Sequence, residues 1–184
     1  MSMRLVRMAG RIESEDDFHV ARLLLLLDAY AGRSGKSVEG ITKLAKLDFL
    51  LRYPTCMERA LVAVNRADAV PQMEPHERDT IEGRMIRFRY GPWDSRYRRW
   101  IALMVSKGLA ATCVQGRTVH VKLTDSGATV ARQLQEHAEF AGLTTRSQSI
   151  ASAFRTFSAT GLKDFVYATF PEIVSMKWGE SIDL

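Results

Sequence analysis

Apolar residues in the first third of the chain recur at helical spacing, broken by glycine, serine and proline. Ser14 followed by Glu15, Asp16 and Asp17 reads as a helix start, because the hydroxyl can cap free amides and acids favour the positive end of the helix dipole. This helix runs to about Tyr30. Its apolar residues Phe18, Val20 and Leu23 to Leu27 nearly encircle the axis, which implies burial on more than one side, within its own domain or against another chain. Gly32 to Gly40 is a loop. From Ile41 the pattern Leu44, Ala45, Leu47, Phe49, Leu50, Leu51 is again helical, with Lys43, Lys46 and Asp48 mostly on the outer face. Pro54 disfavours a helical residue before it, so the second helix ends at Tyr53. Pro54 also suits the first turn of a third helix, Thr55 to Asn65. Residues 66–83 lack periodicity and read as an exposed connection.

Alternation resumes over Arg84 to Tyr90, which predicts a strand, and Gly91 with Pro92 predicts a turn. Asp94 or Ser95 can then cap a helix through Lys107, with Tyr97, Trp100, Ile101, Met104 and Val105 as its inner stripe and Gly108 as its C-cap. Two β-prone runs, Leu109 to Val114 and Thr118 to Thr124, flank Gln115, Gly116 and Arg117 as a hairpin; Leu123, Thr124, Asp125 and Ser126 end it and cap the next helix, Gly127 to about Ala138. Helix, hairpin and helix between Pro92 and about Glu136 form the second half of a winged helix. The runs LMVSKGLA and VKLTDSGATVARQL also resemble that superfamily.

Further on, Thr144 and Thr145 can cap a helix carrying Ile150, Ala153, Phe154 and Phe157, Gly161 interrupts it, and Leu162 to Ala168 forms another. Ile173, Val174, Met176 and Trp178 are apolar for a terminus, so the tail covers its own core or meets a partner. The fold class is mainly α with a small β-hairpin (α+β): a winged-helix domain over 1–138 with N-terminal helices and a 66–83 linker, then a helical extension over 139–184. Leu24, Leu26, Phe165, Tyr167 and Trp178 are the candidate partner-interface residues.

Composition narrows the class. At 184 residues, 46% hydrophobic and 26% charged, the chain has enough apolar content for a packed core, and its longest apolar run is too short for a membrane span. The N-terminus lacks a signal-peptide pattern, so a cytoplasmic location is expected. The net charge of +5 matters through its distribution: Arg84, Arg87, Arg89, Arg96, Arg98 and Arg99 face a single nearby acid, Asp94. With Arg117 at the hairpin tip they are the candidate nucleic-acid contacts, since the guanidinium fork binds phosphate bidentately. The same arginines can instead form a solvated face or a protein interface. The predicted recognition helix offers no Asn or Gln for reading adenine, which favours weak, sequence-nonspecific contact with double-stranded DNA.

No catalytic arrangement or cofactor is predicted. Cys56 and Cys113 are read as buried thiols, and the four histidines have no metal-ligand spacing. GRSGKS is not a phosphate loop, because the loop's first glycine would fall at Tyr30. The acids and Ser95, Asp125 and Ser126 serve as helix caps, so the chain is expected not to be an enzyme.

The run GRSGKSVEGITKLAKLDFLLRYP followed by CMERAL, over Gly32 to Leu61, resembles the middle components of bacterial three-component ABC-ATPase anti-phage defence systems of the Lamassu type. That resemblance implies a non-catalytic accessory subunit partnered with an SMC-like ABC ATPase and an effector subunit. A dimeric winged-helix transcriptional regulator and a protein-only structural adaptor are the alternatives the residues leave open.

Overall fold

In the computed structural model, which describes residues 3–73 and 84–184 with the side chains of 3–14 excepted, helix α1 spans Met3–Ala31. The helix therefore continues well before Ser14, and the acids after Ser14 do not serve as its first turn. They are used in tertiary pairing instead: Asp16 and Asp17 meet Arg99, Trp100 and Lys107. A two-residue strand, β1 (Val38–Glu39), lies in the predicted loop, and α2 (Ile41–Arg52) and α3 (Pro54–Ala63) meet at Tyr53 with Pro54 in the first turn of α3. Of the predicted connection, 74–83 lies outside the described residues.

Strands β2 (Ile86–Phe88) and β3 (Gly91–Trp93) form an antiparallel hairpin in which Phe88 pairs with Gly91. Gly91 and Pro92 are thus strand residues, and the turn falls one step earlier, at Arg89 and Tyr90. Proline is tolerated because β3 is an edge strand that needs no further donor. The other edge of β2 is covered by the C-terminal tail: Arg87 N–H donates to Glu180 O at 2.8 Å, and Ile182 N–H donates to Met85 O at 2.8 Å. Tyr53 locks this junction by accepting from Met85 N–H at 2.8 Å and donating to Ile182 O at 2.9 Å. Side chains in the hairpin alternate as the pleat requires, so Met85 and Arg87 point inward while Phe88 stays exposed.

Helix α4 (Tyr97–Ser106) leads into strands β4 (Ala110–Gln115) and β5 (Thr118–Leu123), and helix α5 (Asp125–Gln135) follows. The sheet order is β1-β5-β4, antiparallel throughout, with Gly116 at φ 60° in the hairpin loop. Thr124 caps α5 by accepting from Gly127 N–H at 3.0 Å. Gly127 is required by close approach, since a Cβ there would lie 1.8 Å from Leu109 O. Helices α6 (Ala141–Phe154), α7 (Ala159–Thr169) and α8 (Pro171–Ser175) complete the chain. Thr144 and Thr145 fall inside α6 rather than capping it. Gly161 sits in the first turn of α7, where Ser158 accepts its N–H at 3.0 Å.

The molecule is mainly helical with small antiparallel sheets, an α+β composition. One hydrophobic cluster draws on all segments, from Val20 of α1 to Ile182 of the tail. Leu24 and Leu26 are interior residues of that cluster, which removes them from any partner surface; the apolar residues of α1 from Val20 to Leu27 are buried within the chain, where α6, α5, α4 and β5 surround them, and Phe18 stays partly exposed. Phe165 packs tilted against Phe154 and edge to face against Phe157, and Tyr167 lies under the Arg87 guanidinium. Of the tail residues, Ile173 is buried and Trp178 is 66% exposed, so the tail covers its own core and leaves one large ring outside. Cys56 is buried as expected, whereas Cys113 is exposed, because it lies in the outer part of β4, where Thr112 to Gln115 all face solvent. Among the described residues no helix is long and apolar enough to cross a membrane.

Candidate nucleic-acid interface

A buried chain of charges fixes α4 against α1 and α2. Asp48 of α2 accepts from Arg22 Nε at 2.7 Å, from Arg52 Nε at 2.9 Å and from the Tyr97 hydroxyl at 2.5 Å, and all three charged side chains are fully buried. Burial alone would raise the Asp48 carboxyl, but the two guanidiniums hold it far below the usual carboxylate range. Burial and the Asp48 charge together push the Tyr97 hydroxyl well above its ordinary value. Arg52 reaches on to Asp94 at 2.9 Å, and Asp94 accepts from Arg96 at 3.0 Å. Arg96 continues outward to Glu15 at 2.7 Å. The Trp100 indole donates to Asp16 at 2.9 Å, and the Arg22 guanidinium hydrogen-bonds His19 Nδ1. The burial of His19, reinforced by Arg22 and Arg52, lowers its pKa to about 4.

This network reassigns several of the predicted phosphate contacts. Arg96 is committed to Asp94 and Glu15, and Arg99 to Asp16 at 2.5 Å. Arg87 is buried, donating to Ile173 O at 2.9 Å, because its strand position points into the hairpin's inner face. Arg84 meets Asp183 at 3.5 Å, and Arg89 lies over the Tyr90 ring at 5.3 Å. Arg98 and Arg117 are exposed.

Those two arginines share one groove. Three adjoining cavities of about 190, 220 and 260 Å³ run from the β4–β5 loop, across the start of α2 and the β2–β3 hairpin, to the start of α7. Thr42 lines all three, Lys46 and Tyr90 join two of them, and Trp93 with Arg98 joins the outer pair. Arg98, Arg117, Lys46 and Lys163 line the groove, and among the described residues no carboxylate does. Lys163 also meets its neighbour Asp164 at 3.0 Å.

Lys46 was expected on the outer face of α2, yet it is only 2% exposed. Its Nζ donates to Thr42 O at 3.1 Å, while Gly91 and the hairpin close over its stem. Burial, with the nearby Lys163 charge, lowers its pKa to about 8. Lys43 is likewise buried, donating to the Tyr30 hydroxyl at 2.7 Å and to Glu39. The outward-face assignment fails for both because β1 on one side and the β2–β3 hairpin with α7 on the other cover the α2 surface.

Sequence reasoning missed the buried network and the groove-lining role of Lys46. Arg22 carried the signal: an arginine in a helix apolar on all sides must be buried and therefore paired. No protein-family model, curated protein or solved structure matches this chain.

Proposed function

We propose that this chain is a non-catalytic winged-helix accessory subunit that contacts the DNA backbone and joins an SMC-like ABC ATPase to an effector in an anti-phage defence complex. The observation that carries the DNA contact is the groove, where four cations converge and, among the described residues, no carboxylate lines the wall. Such a surface attracts phosphates through counterion release and is sequence-tolerant. The winged-helix reading is supported by the order β1-β5-β4, with α2 after the first strand and α4 before the hairpin. In this arrangement α3 and the β2–β3 hairpin are an insertion between the two helices of the motif, and Arg117 sits at the wing tip.

The defence assignment rests on the resemblance over Gly32 to Leu61. This stretch supplies β1, α2 and most of α3, together with Lys46 of the groove. A base-reading regulator is less favoured, because Arg96 and Arg99 of the α4 region are held by acids and the helix presents no Asn or Gln.

Two measurements test the reading. Anisotropy titration with blunt duplexes of unrelated sequence gives comparable affinities that fall steeply with salt; a preference of orders of magnitude for one pseudo-palindromic site favours the regulator. Affinity purification of the tagged chain from its native host recovers an ABC-type ATPase encoded beside it, and recovery without one removes the defence assignment.

A further inference from the structure

The inner part of the groove differs in kind from its outer end. Towards the β4–β5 loop it is an open basic surface, lined by Arg98, Arg117, Gly40 and Ile41. Towards the hairpin it becomes a cavity of about 190 Å³, walled by Phe88, Tyr90, Pro92 and Trp93 and floored by Lys46. A duplex, with its major groove about 12 Å wide, is too bulky to enter such a space. A single unstacked base is flat and small enough.

The rings are arranged for stacking. Phe88 and Trp93 lie on the same face of the hairpin, with centroids 6.3 Å apart and planes inclined by 28°. Phe88 and Tyr90 are 45% and 47% exposed, two open rings side by side at the mouth of the cavity. Lys46 contributes a buried cation that, among the described residues, hydrogen-bonds a backbone carbonyl and has another lysine as its charged neighbour. An anion placed between Lys46 and Lys163 relieves that repulsion. The first turn of α7, with Ala159 and Thr160 on the cavity wall, places the positive end of a helix on the same side.

We propose that this inner groove binds an unpaired nucleic-acid strand, with bases stacking on Phe88, Tyr90 and Trp93 and the backbone phosphates held by Lys46, Lys163 and Arg98. The assignment rests on the reading of the outer groove as a DNA contact and adds the substrate class: a duplex end with a single-stranded extension, the duplex lying across Arg117 and the extension entering between the hairpin and α7. Aromatic platforms inside a basic channel are the usual solution for sequence-tolerant binding of single strands.

The test is anisotropy titration of the full chain with three labelled probes: a blunt duplex, the same duplex with a single-stranded tail of about six nucleotides, and the tail strand alone as DNA or as RNA. The tailed duplex binds about tenfold more tightly than the blunt one, in line with the energy of stacking a few bases. Tyr90→Ala, a change at an exposed ring, abolishes that advantage and leaves blunt-duplex affinity unchanged, whereas Tyr90→Phe retains it; Lys163→Ala, which removes a groove cation, also abolishes the advantage. Lys46→Met removes the advantage while raising the melting temperature, a combination that a purely structural lysine does not produce. Equal affinity for blunt and tailed probes overturns the proposal, as does a tail advantage that survives Tyr90→Ala and Lys163→Ala. Displacement of the tail by an equally tight acidic peptide assigns the groove to a protein partner and also overturns it. Loss of blunt-duplex binding with tail binding intact would instead count against the outer contact alone.

Discussion

Replacing Asp48 by Asn removes one negative charge from the centre of the buried network and little else in volume. Arg22 then has no carboxylate, and Arg52 keeps Asp94 as its carboxylate partner at 2.9 Å. Removing one partner of a buried pair costs about 3–5 kcal/mol, because the remaining charge stays desolvated. Against a stability of about 5–15 kcal/mol for a domain, that is a large fraction. For a chain of this size each kcal/mol corresponds to roughly 2–4 °C, so Asp48→Asn lowers the melting temperature by about 6–20 °C. Arg59→Ala, which breaks the exposed pair with Glu172 at 2.5 Å, is the control and costs under about 1 kcal/mol. Thermal and urea melts followed by circular dichroism compare the two. The wild type also has a defined acid limb. The Asp48 pKa is depressed in the folded state, so its contribution is complete above the unfolded value of 3.8 and is lost as pH falls towards the folded value. A fall of less than about 2 °C for Asp48→Asn would refute the claim that this network, as a charged unit, holds α4 in place.

Other outcomes follow from single positions. His19 has a folded pKa near 4 against 6.5, among Arg22, Arg52, Arg96, Asp48 and Glu15. The unfolded state therefore binds the extra proton between those values, and stability declines by up to roughly 3 kcal/mol as pH drops from 6.5 to 4. His19→Gln flattens that slope in urea melts. Gly127→Ala places a Cβ on Leu109 O, and the strain, about 1–3 kcal/mol, outweighs the gain in helix propensity, so the variant melts lower despite the better helix former. Thiol titration with an aromatic disulfide reagent modifies Cys113 in the native protein; Cys56, whose thiol is pushed up to about 12 by burial, reacts only after denaturation.

The elements legible in the sequence are those whose local signals agree with their environment. The Tyr53–Pro54 break, the β4–β5 hairpin around Gly116 and the Thr124 cap all follow from backbone chemistry within a few residues. Non-local pairing was less legible. Nothing near Ser14 reveals that Asp16 is needed by Trp100, and nothing near Arg87 shows that the tail from Gly179 to Ile182 will cover β2 and turn that arginine inward. The basic stretch from Arg84 to Arg99 was readable as charge but not as surface. Four of its arginines, Arg84, Arg87, Arg96 and Arg99, are held in the core or in ion pairs by residues far away in sequence. The groove escaped notice for the same reason: Lys46, Tyr90, Arg117 and Lys163 meet only after α2, the two hairpins and α7 have packed.

The neighbouring residues Arg98 and Arg99 allow the central claim to be tested with one substitution each. Arg98 lines the groove, while Arg99 is held by Asp16 at 2.5 Å. The measurement is the slope of log affinity against log salt for a blunt duplex, determined for wild type, Arg98→Ala and Arg99→Ala. Each phosphate contact contributes about −0.9 to that slope. The account predicts that Arg98→Ala reduces the slope by about one unit and Arg99→Ala leaves it unchanged; equal reductions, or a wild-type slope near zero, contradict it.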